Sequence, residues 1–279
     1  MILILVLVVV VILIILLLIL LKTTEHLTYN LNNEDFIISL FLTGGLCEEA
    51  ENCIKSIENV GLKKKLIVTT LDNTAFECIN KLNVKVENKK TNLEKEANFG
   101  TKQFYDIMIY KIKIVYDLLK KNKKTVVYSD SDIVFLKNIS NDVNNFTNSN
   151  NDIMIQDDSS NFNNSNNLCA GFMFLKPTET TFKVLNKVLF LLNKYKNDIN
   201  KLKQGGGADQ RALNIAIKDI KPNIKILDLK DYPNGARYFN NIDTIYKDYK
   251  PKIIHNNYIV GTQNKINRFK KYNLWFINN

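Results

Sequence analysis

From Phe36 to Ser129 the chain alternates short apolar runs with longer stretches of helical period, and this alternation restricts the fold more than any other feature. Phe36–Leu42 (FIISLFL), Lys65–Leu71 (KLIVTTL) and Thr125–Ser129 (TVVYS) read as strands buried on both faces. Between the first two, Cys47–Val60 sets Cys53, Ile54, Ile57 and Val60 at helical spacing, and Gly61 closes it. Thr74–Leu82 reads as a short helix and Val84–Val86 as a short strand. Phe104–Lys121 is a long helix whose inner face is Ile107, Ile114, Val115, Leu118 and Leu119. Strands and helices in turn predict an α/β domain built on a mostly parallel sheet with right-handed crossovers.

Beyond Ser129 the pattern loosens. Asn138–Asn151 and Ser159–Asn167 are rich in Asn and Ser and read as exposed loops around a strand, Ile153–Gln156, that ends in Asp157-Asp158. Cys169–Leu175 is a further strand, stopped by Pro177. Thr178–Asn197 reads as an amphipathic helix, Gly205–Gly207 as a turn, Ala208–Lys218 as a helix and Ile224–Leu229 as a strand; Ile253-Ile254 leads into His255.

The first 21 residues are unlike the rest. Ile2–Leu21 is an unbroken apolar run with no charge, Gly or Pro. Twenty such residues rise ~30 Å as a helix, the thickness of a bilayer's hydrocarbon core. No small-residue cleavage site closes the run, so an uncleaved transmembrane signal anchor is expected over 1–21, with a stem over 22–33 and one α/β domain over 34–279. Lys22 follows the run and no Lys or Arg precedes it, so charge does not favour an N-terminus-in orientation. The formal charge of +10 comes from Lys spread along the whole chain. Its runs, Lys63–Lys65 and Lys120–Lys124 (broken by Asn122), fall near helix ends without interleaved aromatics, so nucleic acid is not expected as a partner. The cysteines, Cys47, Cys53, Cys78 and Cys169, form no CxxC or Cys/His metal spacing and assign no disulfide.

Chemistry concentrates at Asp130-Ser131-Asp132. The strand Thr125–Ser129 ends by presenting two carboxylates, i and i+2, on one side. Carboxyl ends of strands are where open α/β sheets bind ligands, and two carboxylates there suit a hard divalent cation that grips phosphates. The plain alternative is an acidic turn. Asp130-Ser131-Asp132-Ile133-Val134 also matches the first motif of haloacid-dehalogenase-like phosphatases, where Asp130 would be a nucleophile. That motif normally opens its domain, whereas two strand–helix units come first here. A membrane-anchored binding protein that kept the fold but not the chemistry is a third reading.

The order Asp130-Ser131-Asp132-Ile133-Val134-Phe135-Leu136, then Cys169-Ala170-Gly171-Phe172-Met173-Phe174-Leu175-Lys176-Pro177, then Asp209-Gln210 with Leu213-Asn214, then His255-Asn256-Asn257 with Gly261 and Lys265, resembles the nucleotide-diphospho-sugar transferase family. The resemblance runs from about Phe36 to Lys271. It implies the GT-A fold, a Rossmann-like sheet flanked by helices, and transfer of a sugar from a nucleotide-sugar donor, a UDP-sugar, to a hydroxyl of a glycan or protein acceptor, with retention. It implies Mn²⁺ (or Mg²⁺) with Asp132 as direct ligand, and Asp130 binding the metal through water or touching the ribose. Mn²⁺ accepts carboxylate and imidazole together, which makes His255 its third ligand. Lys265 and Gly261 would face the diphosphate, Lys111 would lie near it, and Asp72 and Thr43 would contact the nucleoside. Asp209 and Gln210 would bind the donor sugar near its anomeric carbon, and Asp157 or Asp158 would face the sugar or the acceptor. A membrane anchor with a lumenal domain in the endoplasmic reticulum or Golgi completes the expectation.

Overall fold

The computed structural model describes residues 14–15, 36–91, 93, 97, 101–162, 167–198 and 208–277. The expected anchor and stem lie outside these residues, Ile14 and Ile15 apart. No helix among the described residues is long and apolar enough to cross a membrane. Residues 36–279 form one compact unit.

Nine strands and eight α-helices follow Phe36 among the described residues. The strands are β1 (Phe36–Leu42), β2 (Leu66–Thr70), β3 (Lys85–Asn88), β4 (Thr125–Ser129), β5 (Ile133–Phe135), β6 (Ile153–Asp157), β7 (Leu168–Leu175), β8 (Ile224–Ile226) and β9 (Ile253–His255). Seven of them make one sheet in the order β3-β2-β1-β4-β7-β6-β8. It is mostly parallel, as the alternation predicts, but β7 runs antiparallel to both β4 and β6. The carboxyl ends of β1, β2, β4 and β6 therefore meet at one edge, and so does the start of β7. Thr43, Asp130, Asp158 and Gly171 are gathered there by topology alone.

Helices cover both faces. Alternate residues of β1 divide between them: Phe36, Ile38, Leu40 and Leu42 pack on one side, Ile37 and Phe41 on the other. The first side receives α1 (Cys47–Asn59), α2 (Asn73–Asn80) and α4 (Ser140–Thr147) through Ile54, Ile57, Ile79, Val143 and Phe146. The second receives α3 (Lys102–Asn122), α5 (Glu179–Lys196) and α6 (Ala208–Ile220) through Ile112, Val115, Leu119, Val188, Leu192 and Leu213. Caps fit the boundaries. Thr101 accepts from Phe104 N–H and Thr178 from Thr181 N–H, and Lys123 ends α3 in the left-handed region at φ 53°.

The run through Lys137 does not stay in the main sheet. The chain leaves β4 at Ser129, and Ile133–Phe135 pairs antiparallel with β9 in a separate two-stranded sheet, with Ile133 opposite His255. Around this ribbon α7 (Gly235–Phe239) and α8 (Thr262–Lys271) close a small third core of Val134, Ile254, Tyr238, Tyr246 and Phe269. Asn138–Asn151, expected as loop, contains α4; Ile139, Val143 and Phe146 repeat at helical spacing, and burying them outweighs the weak helix propensity of the Asn residues around them. The strand expected over Ile224–Leu229 stops at Ile226.

A disulfide joins Cys47, the first residue of α1, to Cys78 in α2 with Cα atoms 6.2 Å apart. Cys53 and Cys169 are free and buried. Cys78→Ser is expected to lower the urea midpoint by an amount equal to about 3.5 kcal/mol, as expected for a bridge spanning 31 residues. Reductant should bring the wild-type chain to the same midpoint and leave the variant unmoved.

Candidate active site

The gathered edge opens into a cleft of about 2030 Å³. At its floor Asp130, Asp132 and His255 each offer one ligand atom, all within 4.8 Å of one another. Local structure explains the closeness. Asp130 is the first residue beyond β4, and its N–H donates to the Gly171 carbonyl at 2.8 Å. Two residues on, the Asp132 carbonyl accepts from Asn256 N–H at 2.8 Å, which ties the turn to the end of β9. Gly171 leaves the space: a Cβ there would lie 2.5 Å from His255 Cε1 and 2.7 Å from an Asp130 carboxylate oxygen. Two carboxylates and an imidazole, with room between them, are a donor set that can hold a divalent cation.

Charge is balanced around this set. Lys265 Nζ lies 2.8 Å and His255 Nε2 3.3 Å from the Asp132 carboxylate. Burial alone would raise the Asp132 pKa, but these two groups outweigh it and hold the carboxyl far below its usual range. His255 answers in kind: burial would lower its pKa, yet Asp132 drives it well above the ordinary value. Asp132 likewise raises Lys265 against the effect of its burial, so that side chain stays a cation. On the other flank Lys111, only 2% exposed, reaches Asp130 at 3.1 Å and Asp209 at 2.7 Å and lies over the Tyr128 ring. Tyr128 Oη donates to Asp130 at 2.6 Å.

Thr43, Lys111, Asp130, Asp132, Asp209, Gln210, His255, Gly261 and Lys265 all line the cleft. Gly261 precedes α8 at φ 91°, a backbone state that favours glycine, and its carbonyl accepts from Lys265 N–H. Asp157 and Asp158 part company. Asp157 is fully buried and ion-paired with Arg237, outside the cleft, whereas Asp158 lines it and accepts from Gln210 at 2.9 Å and Asn257 at 3.0 Å. Asp72 sits behind the wall: it caps α2 through Ala75 N–H at 2.9 Å and also accepts from Gly44 N–H at 2.7 Å.

The family model for nucleotide-diphospho-sugar transferases matches residues 61–269. The chain belongs to this family. Among its curated relatives are a UDP-galactose:fucoside alpha-3-galactosyltransferase of Dictyostelium discoideum, 32% identical over 69% of this chain and 31% of that protein, and a UDP-D-xylose:L-fucose alpha-1,3-D-xylosyltransferase, MGP4, of Arabidopsis thaliana, 27% identical over 64% of this chain and 52% of that protein. The chain thus spans about a third to a half of their lengths. Among solved structures, a glycosyltransferase involved in glycosylation of the major capsid of PBCV-1 shares the fold at 11% identity and TM-score 0.53, covering 85% of this chain and 98% of that one. The glycosyltransferase GlyE of Streptococcus pneumoniae TIGR4 does so at 14% identity and TM-score 0.55, covering 86% and 65%.

Sequence reasoning misses several residues of this candidate site. Tyr128 and Gly171 look like ordinary strand residues, and Gln156 like the last residue of a strand. Glu49 reads as first-turn helix charge, yet it is 1% exposed, lines the cleft, and its Oε1 has no hydrogen-bond partner among the described residues. Burial, then the Asp132 charge, pushes its carboxyl up from 4.5 to about 7. A raised folded-state pKa in an acid means that folding holds the proton, so stability falls as pH rises from 4.5 toward 7. Glu49→Gln in EDTA is therefore expected to gain little at pH 5 and on the order of 3 kcal/mol at pH 8, read from urea midpoints. Lys111→Met, which leaves Asp130 and Asp209 without their cation, is expected to cost ~3–5 kcal/mol by the same measurement.

Proposed function

We propose that this chain transfers a sugar from a UDP-sugar to a hydroxyl of a glycan acceptor, with retention of anomeric configuration and with Mn²⁺ held by Asp130, Asp132 and His255. The observation that carries the reading is the meeting of those three donors with Lys265 on the floor of one cleft, in a member of a nucleotide-diphospho-sugar transferase family. The relatives' names support UDP-galactose or UDP-xylose as donor and a fucoside as acceptor, and the alpha linkage in those names supports retention.

The reaction breaks the bond from the anomeric carbon to the diphosphate, forms one to the acceptor oxygen, and passes the acceptor's hydroxyl proton to the departing diphosphate. A divalent cation, when bound, supplies positive charge against the diphosphate. The protein does the rest of the positioning. Lys265, kept cationic by Asp132, brings a second positive charge to the leaving group from the first turn of α8. Lys111 fixes Asp130 and Asp209 in one orientation, so the cation-holding and sugar-facing sides of the cleft share a single anchor. Asp158, clamped by Gln210 and Asn257, presents a carboxylate where sugar hydroxyls would bind.

The phosphatase reading is not favoured, because the family match covers the Asp130 motif in another role and Asp130 already accepts from Lys111 and Tyr128. We further infer that Ile2–Leu21 anchors the enzyme with its catalytic domain in a secretory lumen; the Cys47–Cys78 disulfide supports an oxidising compartment.

The full chain in detergent, given UDP-galactose or UDP-xylose and a fucoside, is expected to release UDP and form an alpha-linked product with Mn²⁺ and not with EDTA. Asp132→Ala is expected to lower kcat/KM at least about a hundredfold. Equal turnover with EDTA, or phosphate release from a simple phosphomonoester in place of UDP release, would overturn the reading.

A further inference from the structure

The imidazole of His255 has two faces, and only one meets the carboxylates. Nε2 points at Asp132, 3.3 Å away. Nδ1 points into the protein, 2.8 Å from Gln156 Oε1. Gln156 is 0% exposed, and its amide nitrogen donates to the Tyr232 carbonyl at 3.0 Å. A carbonyl can only accept, so the Tyr232 contact decides which end of the Gln156 amide is nitrogen and leaves the oxygen facing the ring. An amide oxygen also only accepts. Nδ1 must then carry a hydrogen, and the neutral ring that a metal ion requires has its lone pair on Nε2, the atom directed at Asp132.

From this relay we infer that Gln156 is a positioning residue for the cation: through Tyr232 it fixes the tautomer and the plane of His255, so that Nε2 is the ligand atom. The inference rests on the metal reading given above. Two neighbours complete the cradle. Gly171 gives the ring its space, since any Cβ there would meet Cε1. Cys169 Sγ lies 3.6 Å from Nδ1 and accepts from Gly171 N–H, which holds the strand beside the ring. Histidine ligands whose second nitrogen loses its partner typically cost a metal site ~10–100-fold in affinity.

The test is Mn²⁺ alone, titrated into the full chain and followed by the electron paramagnetic resonance signal of the free ion. Gln156→Met, close in length but only a weak acceptor, is expected to weaken Mn²⁺ binding by ~10–100-fold and, because the buried Tyr232 carbonyl and Nδ1–H lose their partner, to lower the urea midpoint by the equivalent of ~1–3 kcal/mol while the chain still folds. Gln156→Glu, which restores an acceptor to Nδ1, is expected to recover most of that loss. In a His255→Ala background Gln156→Met should add nothing further, because its effect passes through the ring. Wild-type affinity in Gln156→Met would overturn the proposal, as would an equal loss with His255 already removed. If Gln156→Met does not fold, Gln156→Glu decides: affinity near wild type supports the relay, and a loss as large as that of His255→Ala refutes it. Failure of the wild-type chain to bind Mn²⁺ would instead strike the metal reading itself, so the two failures are distinguishable.

Discussion

The site depends on one change of sheet. The chain leaves the main sheet at Ser129, turns through Asp130, Ser131 and Asp132, and joins β9 at Ile133. Because Ile133 pairs with His255, residues more than a hundred positions apart become neighbours, and the Asn256-to-Asp132 backbone bond locks the turn in place. A chain that continued straight from β4 would carry Asp132 on past the edge and away from His255. The third small core, with Val134 and Ile254 both fully buried, holds the ribbon where the catalytic reading needs it.

Burying that many charges is costly unless each has a partner, and the partners here are shared. Lys111 serves two carboxylates, and Asp132 is served by Lys265 and His255. Sharing makes the floor of the cleft a single electrostatic unit, in which removing one member leaves another uncompensated. The same arrangement suits exchange. A divalent cation at the three donors would take over the neutralising of Asp132 and leave the Lys265 charge available to an anionic ligand. Glu49 is the exception: buried in the same wall with one oxygen unpartnered, it keeps its proton up to about pH 7.

Most of the core sheet is legible in the sequence because its central strands are buried on both faces and read as apolar runs. β1 and β4 match their expected limits, and β7 starts one residue early. The direction of β7 is not legible, since an apolar run has no polarity of its own. α8 is equally hidden: with Ile266 and Phe269 its only buried side chains, its apolar stripe is too thin to stand out. In the site, Asp130 and Asp132 are found because carboxylates at a strand end carry a signal, and His255 because it is one of two histidines; Lys265 enters only through the family resemblance. Gln156 and Tyr128 carry none, and Gly171 is marked only as part of the resembling strand, because their importance lies in what they touch across the fold. The Asp157-Asp158 pair shows the limit sharply. Adjacent residues of one type take opposite sides of the strand, and only the position of Arg237 shows that Asp157 is turned inward.

The central claim is that two Asp carboxylates and the His255 ring hold one cation at the floor of the cleft. Pulsed electron paramagnetic resonance of the Mn²⁺-loaded full chain tests it most directly. The account predicts modulation from one directly bound histidine nitrogen, lost in His255→Ala and retained in His26→Ala. Tight Mn²⁺ binding without nitrogen coupling, or nitrogen coupling that survives His255→Ala, would contradict it.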